Sequence, residues 1–212
     1  MKNKISEAER LYNMTEHERM FWNKGIIVAG MDEVGRGPLA GPVVAACVAL
    51  NGDALIEYVN DSKKVTELRR KKLSPIIKEN AIAYGIGYVD NEVIDEINIL
   101  NATKQAFKIA FEQMNSGDIK IRNVLVDAVK DLDIDAEQHP LIHGDALSYL
   151  IAAASIIAKV DRDEYMMKMH EIYPEYGFDK NKGYGTKQHI DALKKYGPCP
   201  IHRKSFIKNF VK

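Results

Sequence analysis

The stretch that decides the reading of this chain is Gly25–Leu50, GIIVAGMDEVGRGPLAGPVVAACVAL. Its first apolar run, Ile26 to Met31, predicts a buried strand that stops at two adjacent acids, Asp32 and Glu33. A turn of Gly35, Arg36, Gly37 and Pro38 follows, then Gly41-Pro42, then a second apolar run from Val43 to Leu50. The two runs are joined too tightly to be parallel neighbours, so the expected pairing is antiparallel. Two carboxylates at the mouth of a glycine-rich turn are candidate metal ligands, because a sheet fixes them while the turn leaves room for substrate.

Working outward, the totals describe an ordinary globular protein. The 212 residues suffice for one well-filled core, 46% are hydrophobic and 28% charged, and 30 Lys and Arg balance 30 Asp and Glu. That balance removes any global basic field, but charge is unevenly spread. From Asp179 to Lys212, nine Lys/Arg face Asp179 and Asp191, a net of +7. From Gly117 to Asp145, seven acids face Lys120, Arg122 and Lys130, a net of −4. Such a division suits a polyanion held in one place and cations in another, or simply two solvated faces of opposite sign. Cys47 and Cys199 have no metal-ligand spacing and are too few for a disulfide framework. With no signal-type or membrane-spanning run, the expected setting is a reduced cytoplasm.

Residues 1–24 carry Leu11, Met14, Met20 and Trp22 at loosely helical intervals and read as a helical extension anchored by Trp22, without chemistry of its own. Thr66 is the expected N-cap of a helix with Leu68, Leu73, Ile76 and Ile77 on one face, which Pro75 should kink or divide. Ala81 to Asp90 alternates as a strand. Asn91–Asn98 and Ile99–Asn115 read as a short and a longer helix, the latter with Ala106, Phe107, Ala110 and Phe111 inward. Val124 to Val126 is a short strand ending at Asp127; Asp131 to Gln138 is a loop, and His139 to His143 another strand, closed by Gly144-Asp145. A helical segment from Ala146 to Tyr173 begins rich in Ala and Ser. The tail holds a short helix ending at Tyr196 and a Gly197–Pro200 breaker. The whole is an α/β protein with a mixed β-sheet flanked by helices and a C-terminal helical segment: an extension over 1–24, a main domain over 25–174, and a segment over 175–212 packed on it.

Three strand ends thus carry acids: Asp32/Glu33, Asp127 and Asp145. Any one alone is ordinarily a turn residue or a helix cap. Together, four clustered carboxylates require either bound cations or strongly raised pKa values. Oxygen-only ligands select Mg²⁺ or Mn²⁺, ions that keep several waters and complete their shell with phosphate oxygens. Two such ions ~3.5–4 Å apart suit phosphodiester cleavage. Because neighbours on a strand face opposite ways, Glu33 is expected just past the strand end, where it could converge with Asp32. Gly35-Arg36-Gly37 offers close backbone approach and one guanidinium, and a backbone-close contact is suited to a ribose 2′-hydroxyl. Tyr184, between Gly183 and Gly185, is either a surface turn tyrosine or an aromatic plate for a sugar or base, with Lys180 and Lys182 on phosphates.

At these residues the chain resembles the ribonuclease HII family. The resemblance runs from about Gly25 to Phe206 through DEVGRGPLAGPVVAA at 32–46, DSKK at 61–64, Ile97-Asn98-Ile99-Leu100, Val126-Asp127, Gly144-Asp145, AAASIIAKVDRD at 152–163, YPEYGF at 173–178, KGYGT at 182–186 and HRKSF at 202–206. It implies a ribonuclease H-like fold, with a catalytic domain over 25–174 and a substrate-binding segment over 175–212, and Mg²⁺- or Mn²⁺-dependent cleavage 5′ to ribonucleotides, in RNA/DNA hybrids and at single ribonucleotides within duplex DNA. The products would be 5′-phosphate and 3′-hydroxyl ends, and the role ribonucleotide removal and primer degradation. Carried over by position, Asp32, Glu33, Asp127 and Asp145 are the metal-binding carboxylates, and Gly35, Arg36 and Gly37 read the 2′-hydroxyl. Tyr184 stacks on the deoxyribose after the ribonucleotide, and Lys63 contacts phosphate. The sister family, ribonuclease HIII, usually lacks the Gly-Arg-Gly-Pro turn and carries an N-terminal platform domain for which 24 residues are too few. Asp127 is followed by Ala128-Val129-Lys130 where some members carry Gly-Asn. The C-terminus shows no glutamine-led clamp-binding motif, so no sliding-clamp partner is expected; separately, the chain is expected to be a monomer. A silent hybrid binder would have lost carboxylates, and a DNA strand-transfer enzyme would lack the Gly-Arg-Gly and Lys-Gly-Tyr blocks.

Overall fold

The computed structural model describes residues 5–53 and 55–211. Residues 1–4 of the N-terminal extension, Ala54, and Lys212 of the basic tail lie outside the described residues. The extension forms two short helices, α1 (Glu7–Met14) and α2 (Glu16–Trp22), divided at Thr15. Trp22 packs partly buried against the core, as its anchoring role requires.

Strand β1 (Ala29–Val34) pairs antiparallel with β2 (Val43–Leu50). After α3 (Glu67–Asn80) comes β3 (Ala81–Val89), antiparallel to β2. Then follow α4 (Asn91–Met114), β4 (Asn123–Asp127) and β5 (Glu137–Leu141), these two strands parallel to each other and β4 parallel to β1. Among the described residues the mixed sheet has the order β3-β2-β1-β4-β5. All eight residues of β2 are buried, because both faces of the sheet are covered. Ala45, Cys47 and Ala49 face α4, whereas Ala46, Val48 and Leu50 face the helix that follows β5.

That region begins with a single turn, α5 (Gly144–Leu147), and continues as α6 (Tyr149–Ile172). The expected uninterrupted helix from Ala146 is corrected: Ser148 is extended (φ −117°, ψ 128°) and caps α6 by accepting from the Ile151 amide at 3.1 Å. The first half of α6, Tyr149 to Ala158, is buried throughout against β1 and β2. The tail adds a 3₁₀ turn (Pro174–Tyr176), α7 (Phe178–Asn181), α8 (Lys187–Tyr196) and α9 (Lys204–Ile207), which share a third core with Leu39, Ala40 and Met166.

Other local expectations divide. The helical run 91–114 does break at Asn98, which takes φ 69° while its carboxamide oxygen accepts from the amides of Leu100 and Asn101. By contrast, α3 runs through Pro75 as one helix and buries Leu73, Ser74 and Ile77, leaving Leu68 and Ile76 in solvent. Strand β5 begins two residues earlier than expected, at Glu137, and ends at Leu141.

Candidate active site

The strand does not stop at its acids. β1 continues through Asp32 and Glu33, which sit opposite Ala46 and Ala45 of β2. On its other side β1 leaves β4 after the pair Met31–Val126, and this divergence opens a cleft at the carboxyl ends of the two parallel strands. With no β4 neighbour there, the Glu33 amide donates to the carboxylate of Asp32 at 2.9 Å. The expectation that Glu33 lies beyond the strand end is therefore corrected. The pleat keeps Asp32 on the side of α6 and turns Glu33 toward the opposite side.

Asp127 ends β4 and accepts from the Gly144 amide at 2.7 Å, which ties it to the turn carrying Asp145. Two backbones next to these acids take left-handed conformations without glycine, Ala128 (φ 49°) and His143 (φ 59°). Lys63 Nζ lies 2.9 Å from Asp145 Oδ2 at the rim, and this hydrogen bond pushes the lysine pKa up. In this arrangement Lys63 is paired with an acid of the cluster.

The four carboxylates lie within electrostatic reach of one another. Burial, then the charges of Glu33, Asp127 and Asp145, hold Asp32 well above the usual carboxylate range. Burial also raises Glu33, against the pull of Arg36, whose guanidinium is 3.4 Å from Glu33 Oε1. Asp127 is raised by burial, with the Gly144 amide acting the other way. Glu33 Oε2 is buried without a hydrogen-bond partner among the described residues. No three His, Cys, Asp or Glu side chains among the described residues already close on one point as a metal cage. A hard divalent ion suits such a set: it is held by one or two carboxylates with waters and substrate phosphates rather than by a closed protein cage. The donor set, the repulsion stored in it and the orphaned Glu33 oxygen all fit a divalent cation.

Beside the cleft, Gly35 takes φ 95°, and a Cβ there would lie 2.3 Å from Arg162 Nε. Arg203 donates to the carbonyls of Gly35 (2.6 Å), Arg36 (3.1 Å) and Gly41 (2.9 Å). Arg162 donates to those of Pro42 (2.9 Å), Ala40 (3.1 Å) and Lys182 (2.9 Å). Both guanidiniums are fully buried, and burial pushes Arg203 down to about 9. In a trans peptide the carbonyl and amide point opposite ways, so the amides of Arg36 and Gly37 face away from Arg203. Tyr184 is 41% exposed, and its ring edge lies beside Gly37, 3.9 Å from where a Cβ would stand. The Leu39 amide donates to Gly183 at 2.8 Å, clipping the tyrosine loop to the glycine turn.

Sequence reasoning missed three residues of this machinery. Arg162 had a weak signal, since it interrupts the apolar spacing Ala158–Arg162–Met166 on the buried side of α6. Arg203 had none beyond its place in a family block. Glu18, in the extension credited with no chemistry, is fully buried and accepts from Ser148 Oγ (2.5 Å) and the Leu150 amide (2.9 Å), and burial raises its pKa.

A 3-2-1-4-5 mixed sheet with an acidic cleft where its central parallel strands separate marks a hydrolase of the ribonuclease H-like fold. A solved ribonuclease H2 from Pyrococcus horikoshii OT3 superposes with a TM-score of 0.72 at 30% identity, over 87% of this chain and 97% of that one. Bst-RNase HIII in complex with Mn²⁺ shares the fold at 16% identity, TM-score 0.64, over 93% of this chain and 68% of that one. The family model for ribonuclease HII matches residues 29–209. A ribonuclease HII of Caldanaerobacter subterraneus subsp. tengcongensis is 52% identical over 207 residues, 97% of this chain and 85% of that protein. The chain belongs to the ribonuclease HII family and is a ribonuclease H, an enzyme class that works with divalent metal on RNA/DNA hybrids.

Proposed function

We propose that this enzyme hydrolyses the phosphodiester on the 5′ side of a ribonucleotide, both in RNA/DNA hybrids and at single ribonucleotides embedded in duplex DNA. It leaves 5′-phosphate and 3′-hydroxyl ends and serves ribonucleotide removal and primer degradation in the cytoplasm. The observation that carries this reading is the placement of the Tyr184 ring beside Gly37, on the turn that leads directly out of the acidic cleft.

Asp32, Glu33, Asp127 and Asp145 hold Mn²⁺ or Mg²⁺ in the cleft. Ions bound there would lower the pKa of an attacking water and stabilise the leaving oxygen. The amides of Arg36 and Gly37, turned outward by Arg203, donate to the 2′-hydroxyl and the adjoining phosphate. The Arg36 guanidinium adds charge at the same point. Tyr184 stacks on the following deoxyribose and thereby selects an RNA–DNA junction. Lys63, now on Asp145, transfers to a phosphate oxygen when substrate and ion arrive. Segment 175–212 lays its lysines along the nucleic-acid backbone, where charge gives affinity without sequence preference. The protein acts as a monomer, and no sliding-clamp partner enters this reading. No helix among the described residues is long and apolar enough to cross a membrane.

The test is a nicking assay with Mn²⁺ or Mg²⁺ on duplex DNA containing one ribonucleotide. A single nick on its 5′ side is expected. Equal cutting of an all-DNA duplex would remove the 2′-hydroxyl from the role assigned to the turn.

A further inference from the structure

Beneath the Tyr184 loop lies a buried chain of groups that the chemistry above does not use. The Cys199 amide donates to His202 Nδ1 at 3.0 Å, His202 Nε2 lies 3.0 Å from His189 Nε2, and His189 Nδ1 lies 2.9 Å from the Tyr184 carbonyl oxygen. Both imidazoles are buried, His202 edge-on to Tyr176 at 4.8 Å between centroids and His189 edge-on to Phe178 at 5.3 Å.

The proton positions follow one from another. A main-chain carbonyl only accepts, so Nδ1 of a neutral His189 carries that ring's single proton toward Tyr184 and its Nε2 accepts. The proton between the rings therefore sits on His202 Nε2. His202 Nδ1 is left to accept from the Cys199 amide, with Cys199 Sγ at 3.1 Å and the Cys199 carbonyl at 3.3 Å also beside it. A second proton on His189 would set two N–H groups against each other across 3.0 Å. Burial, with His189 beside it, pushes His202 down to about 4, and burial lowers His189 as well, which favours the neutral rings.

Two further contacts tie this chain to the substrate turn. His202 forms an isolated antiparallel bridge with Ala40, and the next residue, Arg203, holds the carbonyls of Gly35 and Arg36. Adjacent residues therefore secure the glycine turn on one side and the tyrosine loop on the other. The Tyr184 ring is 41% exposed. Its backbone is held by the Asn181 carbonyl, which accepts from the Tyr184 amide at 2.9 Å, and by the Thr186 amide, which donates to the Tyr184 carbonyl at 2.8 Å. His189 ties that carbonyl to the buried chain.

We propose that His189 and His202 are positioning residues for substrate recognition: their one-way hydrogen-bond chain from the Cys199 amide to the Tyr184 carbonyl sets Tyr184 against the Gly35-Arg36-Gly37 turn and thereby sets the preference for a ribonucleotide followed by a deoxyribonucleotide. This deepens, and rests on, the reading of Tyr184 given above.

The experiment measures kcat and KM separately for the full chain with Mn²⁺, on duplex DNA with one embedded ribonucleotide and on a uniform RNA/DNA hybrid. His189→Phe keeps the ring volume and loses both hydrogen bonds. It is expected to lose about tenfold in kcat/KM on the embedded ribonucleotide while staying within about twofold on the hybrid. His189→Asn, whose carboxamide still donates toward Tyr184, recovers most of that loss. An unchanged ratio between the two substrates in His189→Phe overturns the proposal. Tyr184→Ala is the reference. If it shifts the ratio and His189→Phe does not, the histidine chain alone fails; if it leaves the ratio unchanged, the reading of Tyr184 fails and the proposal with it. Independently of any variant's folding, ¹⁵N NMR of the wild-type imidazoles is expected to show His189 protonated on Nδ1 and His202 on Nε2, and the opposite tautomers would overturn the chain.

Discussion

Asp127 accepts a 2.7 Å hydrogen bond from the amide of Gly144, so the end of β4 is tied to the turn that carries Asp145. The tie joins two acids that are far apart in sequence through one backbone group. A Cβ at position 144 would stand 3.3 Å from Asp127 Oδ1 and 2.6 Å from Ile151 Cδ1. The isoleucine tip can rotate away, whereas the carboxylate is displaced. Gly144→Ala is expected to lower kcat about tenfold through misplacement, with a stability loss of only about 1 kcal/mol. Single-turnover nicking and urea denaturation separate the two effects.

Asp127→Asn retains an oxygen that can accept from Gly144 but removes one negative charge from a crowded cleft. Turnover should vanish while substrate binding remains. The variant should also be more stable than the parent in chelator at neutral pH, because part of the repulsion is gone. A binding assay and a thermal melt check both signs, and retained turnover would remove Asp127 from the ion site.

The same repulsion makes stability depend on pH. Asp32, Glu33 and Asp127 have folded pKa values raised above the unfolded ones, chiefly by burial. Their protonated forms favour the folded state, so this contribution is fully present below about pH 4 and is lost as pH rises through the folded values. Buried His202, lowered to about 4, and His189 oppose the trend, since their neutral forms favour the fold and that contribution is lost as pH falls. Glu7 and Glu67, also shifted downward, oppose it only weakly. In chelator, the melting temperature of the parent relative to Asp127→Asn, a comparison that cancels the histidine contribution, should fall from mildly acidic to neutral pH. Mn²⁺ should restore it at neutral pH and do little under acid, since ion binding requires ionised ligands. Scanning fluorimetry across pH, with and without the ion, reads both effects.

Arg203→Met would leave the carbonyls of Gly35, Arg36 and Gly41 buried without their donor. The expected loss is about 3 kcal/mol, from about 1 kcal/mol for each stranded acceptor. Arg203→Lys keeps the charge but not the fork and should recover only part of the loss. Urea midpoints give the stabilities. Loss of discrimination between ribonucleotide-containing and all-DNA duplex would show that the turn has loosened.

Glu18 closes the N-terminus of α6 from the other end of the chain. Glu18→Ala strands Ser148 Oγ and the Leu150 amide and opens a cavity, and should destabilise by about 2–4 kcal/mol. Glu18→Gln retains an acceptor and should lose less than half of that. Denaturation midpoints rank the three proteins.

The elements that were legible in the sequence are those specified by neighbours along the chain. The break at Asn98, the opening strands and the antiparallel turn between them follow from short-range apolar spacing and from Gly/Pro punctuation. The misread elements fail for a shared reason. Leu68 and Ile76 were placed inward by hydropathy alone, yet the buried side of α3 is set by where α6 lies. The helix from Ala146 was read as continuous because Ser148 is unremarkable in composition, and its extended conformation is stabilised by capping of α6 and by Glu18.

The amino-acid sequence by itself determined the order of strands and helices, the four acids, the glycine turn, the flanked tyrosine and, through these blocks, the family. Each is a property of residue type and spacing, carried by a few consecutive positions. Only the tertiary structure decided that β1 leaves β4 after Met31 and so opens the cleft, and that Glu33 remains within the strand opposite Ala45. It alone decided that Arg162 and Arg203 spend their charge on backbone carbonyls, all but one of them more than a hundred residues away, and that His202 reaches Tyr184 through His189. A buried polar group is tolerable only where partners satisfy it, and those partners come from distant parts of the chain, where no local pattern records them.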